Sequence, residues 1–174
     1  LEYVVEALVG NGVLDIVVVV GYQREKVQDH FGSGERYGAK IRYVNQRQQL
    51  GTGHALQAAA DLVDDRFLVL PGDNVITAST IREFARAPRD AILVTDQAPG
   101  HQYGVVGVRG GLATALEEKP AEPTSPWIST GIYALSRAIL DRLEDQLDLP
   151  GALNAVIDEG GEIAVSEAPG GWWD

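Results

Sequence analysis

The stretch "IRYVNQRQQLGTGHALQAAADLVDDRFLVLPGDN", Ile41 to Asn74, decides the fold class of this chain. It opens on β-branched and aromatic residues that suit a pleated strand, read here over Lys40–Val44. A glycine-rich turn follows and runs into an alanine-rich amphipathic stretch, Gly53–Val63, which reads as a helix. "RFLVL" is then short, apolar and closed by Pro71-Gly72, the pattern of a buried strand that ends in a turn. Strand, helix and buried strand in succession imply a parallel or mostly parallel sheet flanked by helices.

The same rhythm extends outward. Upstream, Ile16–Val20 is a β-branched run, too short for a helix, and Arg24–Phe31 reads as a short helix. Downstream come a helix at Ala78–Ala85 and a strand at Ala91–Asp96. From Tyr103 the grammar changes: "YGVVGV", "LATALEEKP" and "WISTGIYAL" are strand-like pieces joined by Gly/Pro turns, which suggests a small antiparallel annex. Arg137–Leu147 and Ala152–Glu159 read as helices, Glu162–Glu167 as a late strand, and "GGWW" as a buried aromatic pair. The 174 residues show no repeat or interdomain linker, so residues 1–174 are read as one domain.

Composition narrows the function. The net charge of −11 would repel a phosphate backbone, which argues against a nucleic-acid partner. Only Lys26, Lys40 and Lys119 are lysines, and an acid-rich, lysine-poor surface suits a high-salt cytosol. The longest apolar run, "DIVVVVGY", is far below the roughly 20 residues that span a bilayer, and no secretory leader is visible, so a cytoplasmic location without membrane contact is expected. With no cysteine, thiolate chemistry is excluded. An acidic protein that handles phosphates needs a local source of positive charge, most simply a divalent metal. Leu1, Val4, Val5, Leu8 and Val9 recur at helical spacing, with Gly10-Asn11-Gly12 as a stop. An opening inside a helix suggests that something upstream is absent.

Ligands of open α/β sheets lie beyond the carboxyl ends of strands, so the residues that follow the strands matter most. Gly51 and Gly53 would let backbone approach a ligand, and the following helix N-terminus favours an anion or an aromatic carbonyl. A dinucleotide fingerprint fails, because it needs Gly or Ala where Leu56 stands. The plainer alternative is a glycine turn capped by Thr52. Asp73, after a strand and a Pro-Gly turn, can hold Mg²⁺ through one or two oxygens, or can merely cap the next turn. "LEEKP", Leu116–Pro120, places two acids and a lysine where they could hold sugar hydroxyls and a phosphate, or form a solvated turn. His54 reads as a capping or packing residue, and His30 and His101 have no partner at metal spacing.

In order, "NQRQQLGTGHALQAA", "LPGDN", "YGVV", "LEEKP", "STGIY" and "WWD" resemble the sugar-phosphate nucleotidylyltransferases, over nearly the whole chain. "QLGTGHA" is most similar to the N-acetylglucosamine-1-phosphate uridylyltransferase branch, while "EEKP" and "WWD" are closer to the glucose-1-phosphate uridylyl- or thymidylyltransferases. The resemblance implies a Rossmann-like three-layer α/β fold with a mixed, mostly parallel sheet. It implies a nucleoside triphosphate, with UTP or dTTP favoured, and a sugar 1-phosphate as substrates, and Mg²⁺ as cofactor. By position, Gln46, Gly51 and Thr52 look like base contacts. Asp73 and Asp174 look like the metal carboxylates and, with Lys119, the catalytic set. Gly104, Glu117, Glu118, Lys119, Thr130 and Gly131 look like sugar-phosphate contacts. Ser129 stands where one branch has Asn.

The resemblance also implies a departure. Family members open with a strand and a G-x-G-[TS]-x-[RL] loop around the triphosphate, then a Pro-Lys segment, and none of these is in this sequence. That first strand is central in the family's sheet. Without it two strand edges would be unpaired, inviting a neighbouring chain or strand exchange in a homo-oligomer. The 174-residue chain is therefore expected to be an inactive piece of a longer enzyme. The alternative is a non-catalytic nucleotide- or sugar-binding, or regulatory, module of the same fold.

Overall fold

The computed structural model describes residues 1–48, 50–143, 146–168 and 172–173. In chain order the elements are α1 (Glu2–Val9), β1 (Asp15–Val20), α2 (Arg24–Phe31), β2 (Lys40–Asn45), α3 (Thr52–Ala58), β3 (Arg66–Val69), β4 (Val75–Ile76) and α4 (Ala78–Phe84). They continue with β5 (Ala91–Thr95), β6 (Gly104–Arg109), β7 (Leu112–Glu118), β8 (Ile128–Ser136), α5 (Ile139–Arg142), α6 (Leu149–Asp158), β9 (Ala164–Glu167) and β10 (Trp172–Trp173).

The largest sheet runs β3-β8-β5-β9-β7-β6. β8 lies antiparallel between β3 and β5, β5 pairs parallel with β9, and β7 pairs antiparallel with both β9 and β6. β3, β5, β9 and β6 therefore share one direction, and β7 and β8 run against them. The sheet is mixed, as the switch of grammar at Tyr103 suggests.

Side-chain alternation builds the layers. Along β5, Ala91 and Leu93 enter one apolar core, and Ile92 and Val94 enter the other. β8 divides in the same way, with Ile132 and Ala134 on the first side and Tyr133 and Leu135 on the second. The first core is closed by α1, α2 and α4 through Val5, Phe31 and Ile81; the second by α3, α5 and α6 through Leu56, Ile139 and Leu153. A period of two in a strand buried on both faces produces this three-layer arrangement.

β1 and β2 form a separate parallel pair, in register from Asp15↔Lys40 to Val20↔Asn45. Arg42 holds Asp15 with bonds of 3.1 and 2.7 Å, and that hydrogen bond keeps the Asp15 carboxyl below its ordinary pKa. Among the described residues, β1 pairs only with β2, and β3 only with β8. Their remaining edges line one cleft of about 1030 Å³. Consecutive residues of both strands line it, Asp15–Val19 and Arg66–Leu70, rather than every second one. A face would present alternate side chains, so the cleft is bounded by strand edges. The expectation of two unpaired edges is met in these elements.

Three local readings change. The helix read over Arg137–Leu147 is only Ile139–Arg142, because Leu147 turns back to accept the His54 N–H at 3.1 Å. The helix read over Gly53–Val63 ends at Ala58 and continues as one 3₁₀ turn, Ala60–Leu62. "WW" is not a buried pair: as neighbours on a two-residue strand paired with β4, Trp172 is 7% exposed and Trp173 55%.

Candidate active site

The cleft gathers residues far apart in the sequence. Gly51 and Thr52 come from the entrance to α3, and Asp73 from the turn after β3. Gly104 opens β6, Glu117 and Glu118 close β7, Lys119 follows, and Thr130 and Gly131 lie on β8. Gln46 does not line the cleft, but its side chain donates at 3.2 Å to the carbonyl of Gly51, which does. Asp174 lies outside the described residues.

The glycine turn holds protein first. A Cβ on Gly51 would stand 2.5 Å from the Leu147 carbonyl oxygen, and one on Gly53 would stand 2.9 Å from it. Both glycines thus admit the Leu147–Asp148 backbone, a close approach by the protein itself. Gly51 itself takes φ +126°, a value side chains disfavour. Thr52 does not cap α3 either. The cap is Gly51, and the Thr52 hydroxyl accepts the Leu149 N–H at 3.1 Å, at the start of α6.

Asp73 is exposed and, among the described residues, has no hydrogen bond or ion pair. The capping alternative is not realised, since Thr77 caps α4. A free carboxylate beside a cleft is the hard oxygen donor that Mg²⁺ takes, and in that respect Asp73 fits the ion. No cluster of three or more potential metal ligands occurs among the described residues. Neighbouring Asn74 is buried and donates to the Thr130 carbonyl at 2.9 Å, tying the Asp73 turn to β8.

On β8 the two expected sugar-side residues act differently. Thr130 is 2% exposed, and its hydroxyl donates to the Leu93 carbonyl at 2.8 Å, a bond within the sheet. Gly131 has φ +74°, and a Cβ there would lie 2.9 Å from Pro71 Cγ, which explains a glycine in "STGIY". Ser129 Oγ accepts the Gly131 N–H at 3.1 Å and lies 3.3 Å from Tyr133 Oη. Ser129 and Tyr133 both line the cleft, and burial pushes the Tyr133 phenol above its ordinary range. Sequence reasoning passed over Tyr133; its two-residue spacing from Gly131 along a strand was the available signal.

At the other wall, a Cβ on Gly104 would lie 3.3 Å from Glu118 Oε2, so the glycine leaves room for that carboxylate. Lys119 takes φ +43°, rare for a side chain with a Cβ, and its Nζ is 3.9 Å from Glu118 Oε1. Unusual backbone of this kind gathers at functional sites. Trp172 faces Tyr103 edge-on at 5.6 Å, and its buried Nε1 has no hydrogen-bond partner among the described residues.

These features define a three-layer α/β protein whose cleft takes in the loops following β3 and β7. A family model described as nucleotidyl transferase matches residues 1–168, and the chain belongs to that family. It is 30% identical to the glucose-1-phosphate thymidylyltransferase of Streptomyces griseus, over 100% of this chain and 53% of that protein. It is 34% identical to the bifunctional protein GlmU of Methanococcus maripaludis, over 100% of this chain and 43% of that protein. A crystal structure of a candidate glucose-1-phosphate thymidylyltransferase from Bacillus anthracis, in complex with sucrose, superposes with a TM-score of 0.88 at 25% identity. That superposition covers 99% of this chain and 75% of the other. The chain thus spans roughly half the length of the curated relatives it matches.

Proposed function

We propose that the cleft belongs to an enzyme that transfers a nucleotidyl group from UTP or dTTP to a sugar 1-phosphate, giving a nucleotide sugar and pyrophosphate. The observation that carries this reading is the placement along one cleft of the Glu118–Lys119 turn and of Asp73, a carboxylate without a partner among the described residues. In the reaction, an oxygen of the sugar phosphate forms a bond to the α-phosphorus while the bond to the pyrophosphate leaving group breaks. Little covalent work falls to the protein; it aligns two anions and offsets charge.

Gln46, with the backbone of Gly51 and Thr52, faces the base. Lys119 meets the sugar phosphate. Glu117, Glu118, Gly104 and the Thr130-Gly131 backbone surround the sugar. Asp73, with Asp174 as its partner, would hold Mg²⁺, which supplies positive charge to the phosphate oxygens. The acidic, lysine-poor surface is consistent with a cytoplasm at high salt. No helix among the described residues is long and apolar enough to cross a membrane.

The unpaired edges of β1 and β3 support a second reading, in which the 174-residue chain binds ligand without turning it over. Pyrophosphate release from UTP, dTTP, CTP, ATP or GTP with glucose 1-phosphate or N-acetylglucosamine 1-phosphate separates the two. Mg²⁺-dependent release is expected from a longer chain that carries a strand between β1 and β3, and not from the 174 residues alone. Asp73→Ala in the longer chain should lower turnover at least a hundredfold without moving its melting temperature. Undiminished turnover in that variant removes the metal assignment.

A further inference from the structure

His54 was expected only to cap or pack, yet it makes the shorter of two contacts to the Gln46 side chain. Gln46 Nε2 lies 2.9 Å from His54 Nδ1 and 3.2 Å from the Gly51 carbonyl oxygen. The Gly51 carbonyl can only accept, and it already takes the Ala55 N–H at 3.1 Å. Reversing the Gln46 amide would set two oxygens against each other, so the nitrogen must face Gly51 whichever way the amide atoms are labelled. A primary amide has two N–H groups, and the second points at His54.

The imidazole is thereby constrained. A donor facing Nδ1 requires that nitrogen to be an acceptor, which leaves the ring proton on Nε2. The ring is held from behind as well: the His54 backbone N–H donates to Leu147 at 3.1 Å, and the Gln46 backbone N–H donates to Val20 at 2.8 Å. Both ends of the side-chain bond are therefore anchored to elements, α3 and the carboxyl end of β2. With its nitrogen engaged twice, the Gln46 amide turns its oxygen the other way, as a single fixed acceptor.

We infer that His54 is a positioning residue, which locks the Gln46 amide so that its oxygen meets a ligand N–H. This rests on the reading of Gln46 as a base contact. Uracil and thymine carry a ring imide N–H that such an acceptor can take, whereas the corresponding nitrogen of cytosine is itself an acceptor. A free glutamine could rotate to serve either base; a locked one discriminates against cytosine.

The test has two arms, the spectrum on the 174-residue chain and the calorimetry on a longer chain that carries a strand between β1 and β3. In a long-range proton–nitrogen spectrum, His54 is assigned by its loss in His54→Asn. A proton on Nε2 with bare Nδ1 is expected, and a proton on Nδ1 overturns the lock whether or not any nucleotide binds. Calorimetry then compares UTP with CTP. His54→Asn, whose Oδ1 can stand in for Nδ1, should keep the wild-type preference within about threefold, while His54→Leu should lose about tenfold of it, the effect of roughly one hydrogen bond. An unchanged preference in a folded His54→Leu overturns the positioning role. Absence of UTP binding by the wild type, with the Nε2 tautomer present, removes the base-contact reading and leaves His54 a structural lock.

Discussion

Asn74 Nδ2 donates to the carbonyl of Thr130 across 2.9 Å, a buried bond between residues 56 apart in the chain. It joins the turn that carries Asp73 to the strand that carries Gly131. Both residues line the cleft although they are nearly buried, at 4% and 2% exposure. Asn74→Ala leaves the Thr130 carbonyl unsatisfied, and stability should fall by about 1–3 kcal/mol. Urea unfolding measures it. A loss within error of zero would mean that another donor or water takes over the carbonyl.

The contact of Gly53 with Leu147 makes a different prediction. A methyl group on Gly53 would stand 2.9 Å from both the carbonyl carbon and oxygen of Leu147, and backbone there cannot swing away as a side-chain tip can. Gly53→Ala should destabilise by about 1–3 kcal/mol through overpacking. The damage should also appear at a distance: amide exchange of His54 and Leu149 should quicken, because both bonds depend on this docking. Normal exchange at those two amides would show that the segment follows the methyl group outward intact.

Tyr133 predicts an alkaline limb of the stability curve. Burial raises its folded pKa above the ordinary tyrosine value, and the Ser129 bond only partly opposes this. A raised folded pKa contributes stability that is complete below the unfolded value. It is lost as the pH rises from that value through the folded one, since the unfolded chain ionises first. Urea midpoints should therefore decline above about pH 10. In Tyr133→Phe that part of the decline should disappear. An equal alkaline slope in both proteins would assign the limb to other groups.

How much of this was legible in the sequence depends on the range of the interaction. Strand positions such as Ala91–Thr95 were readable because local propensity and burial agree there, and the three layers follow from alternation along such strands. Most of the residues that the ordered motifs single out do line one cleft; Gln46 does not, and Asp174 lies outside the described residues. What Gly51 and Gly53 touch was not readable. Their positions announce a close approach, but the approaching atom belongs to Leu147, nearly a hundred residues on, and only the fold supplies it. The short α5 was missed for the same reason: the tertiary pull on Leu147 overrides the helical pattern of Arg137–Leu147. Thr130 lines the cleft as its motif suggests, while the bond of its hydroxyl to Leu93 is a long-range contact that the sequence does not announce.

The edges of β1 and β3 give the last prediction. Successive N–H groups along a strand point to opposite edges, so a strand paired on one side protects only every second amide. β1 is paired with β2 alone and β3 with β8 alone among the described residues, and both free edges face the cleft. Hydrogen exchange of the 174-residue chain should therefore alternate, slow then fast, from Ile16 to Val20 and from Phe67 to Val69. A strand inserted between them would hydrogen-bond both edges at once and convert the alternation to uniform protection in both strands together. A longer chain that carries such a strand should show that uniform pattern. If the 174-residue chain shows it at high concentration and loses it on dilution, a second copy supplies the strand. Uniform protection that is independent of concentration would mean that β1 and β3 close on each other in solution, and the cleft would not be a seat for a further strand.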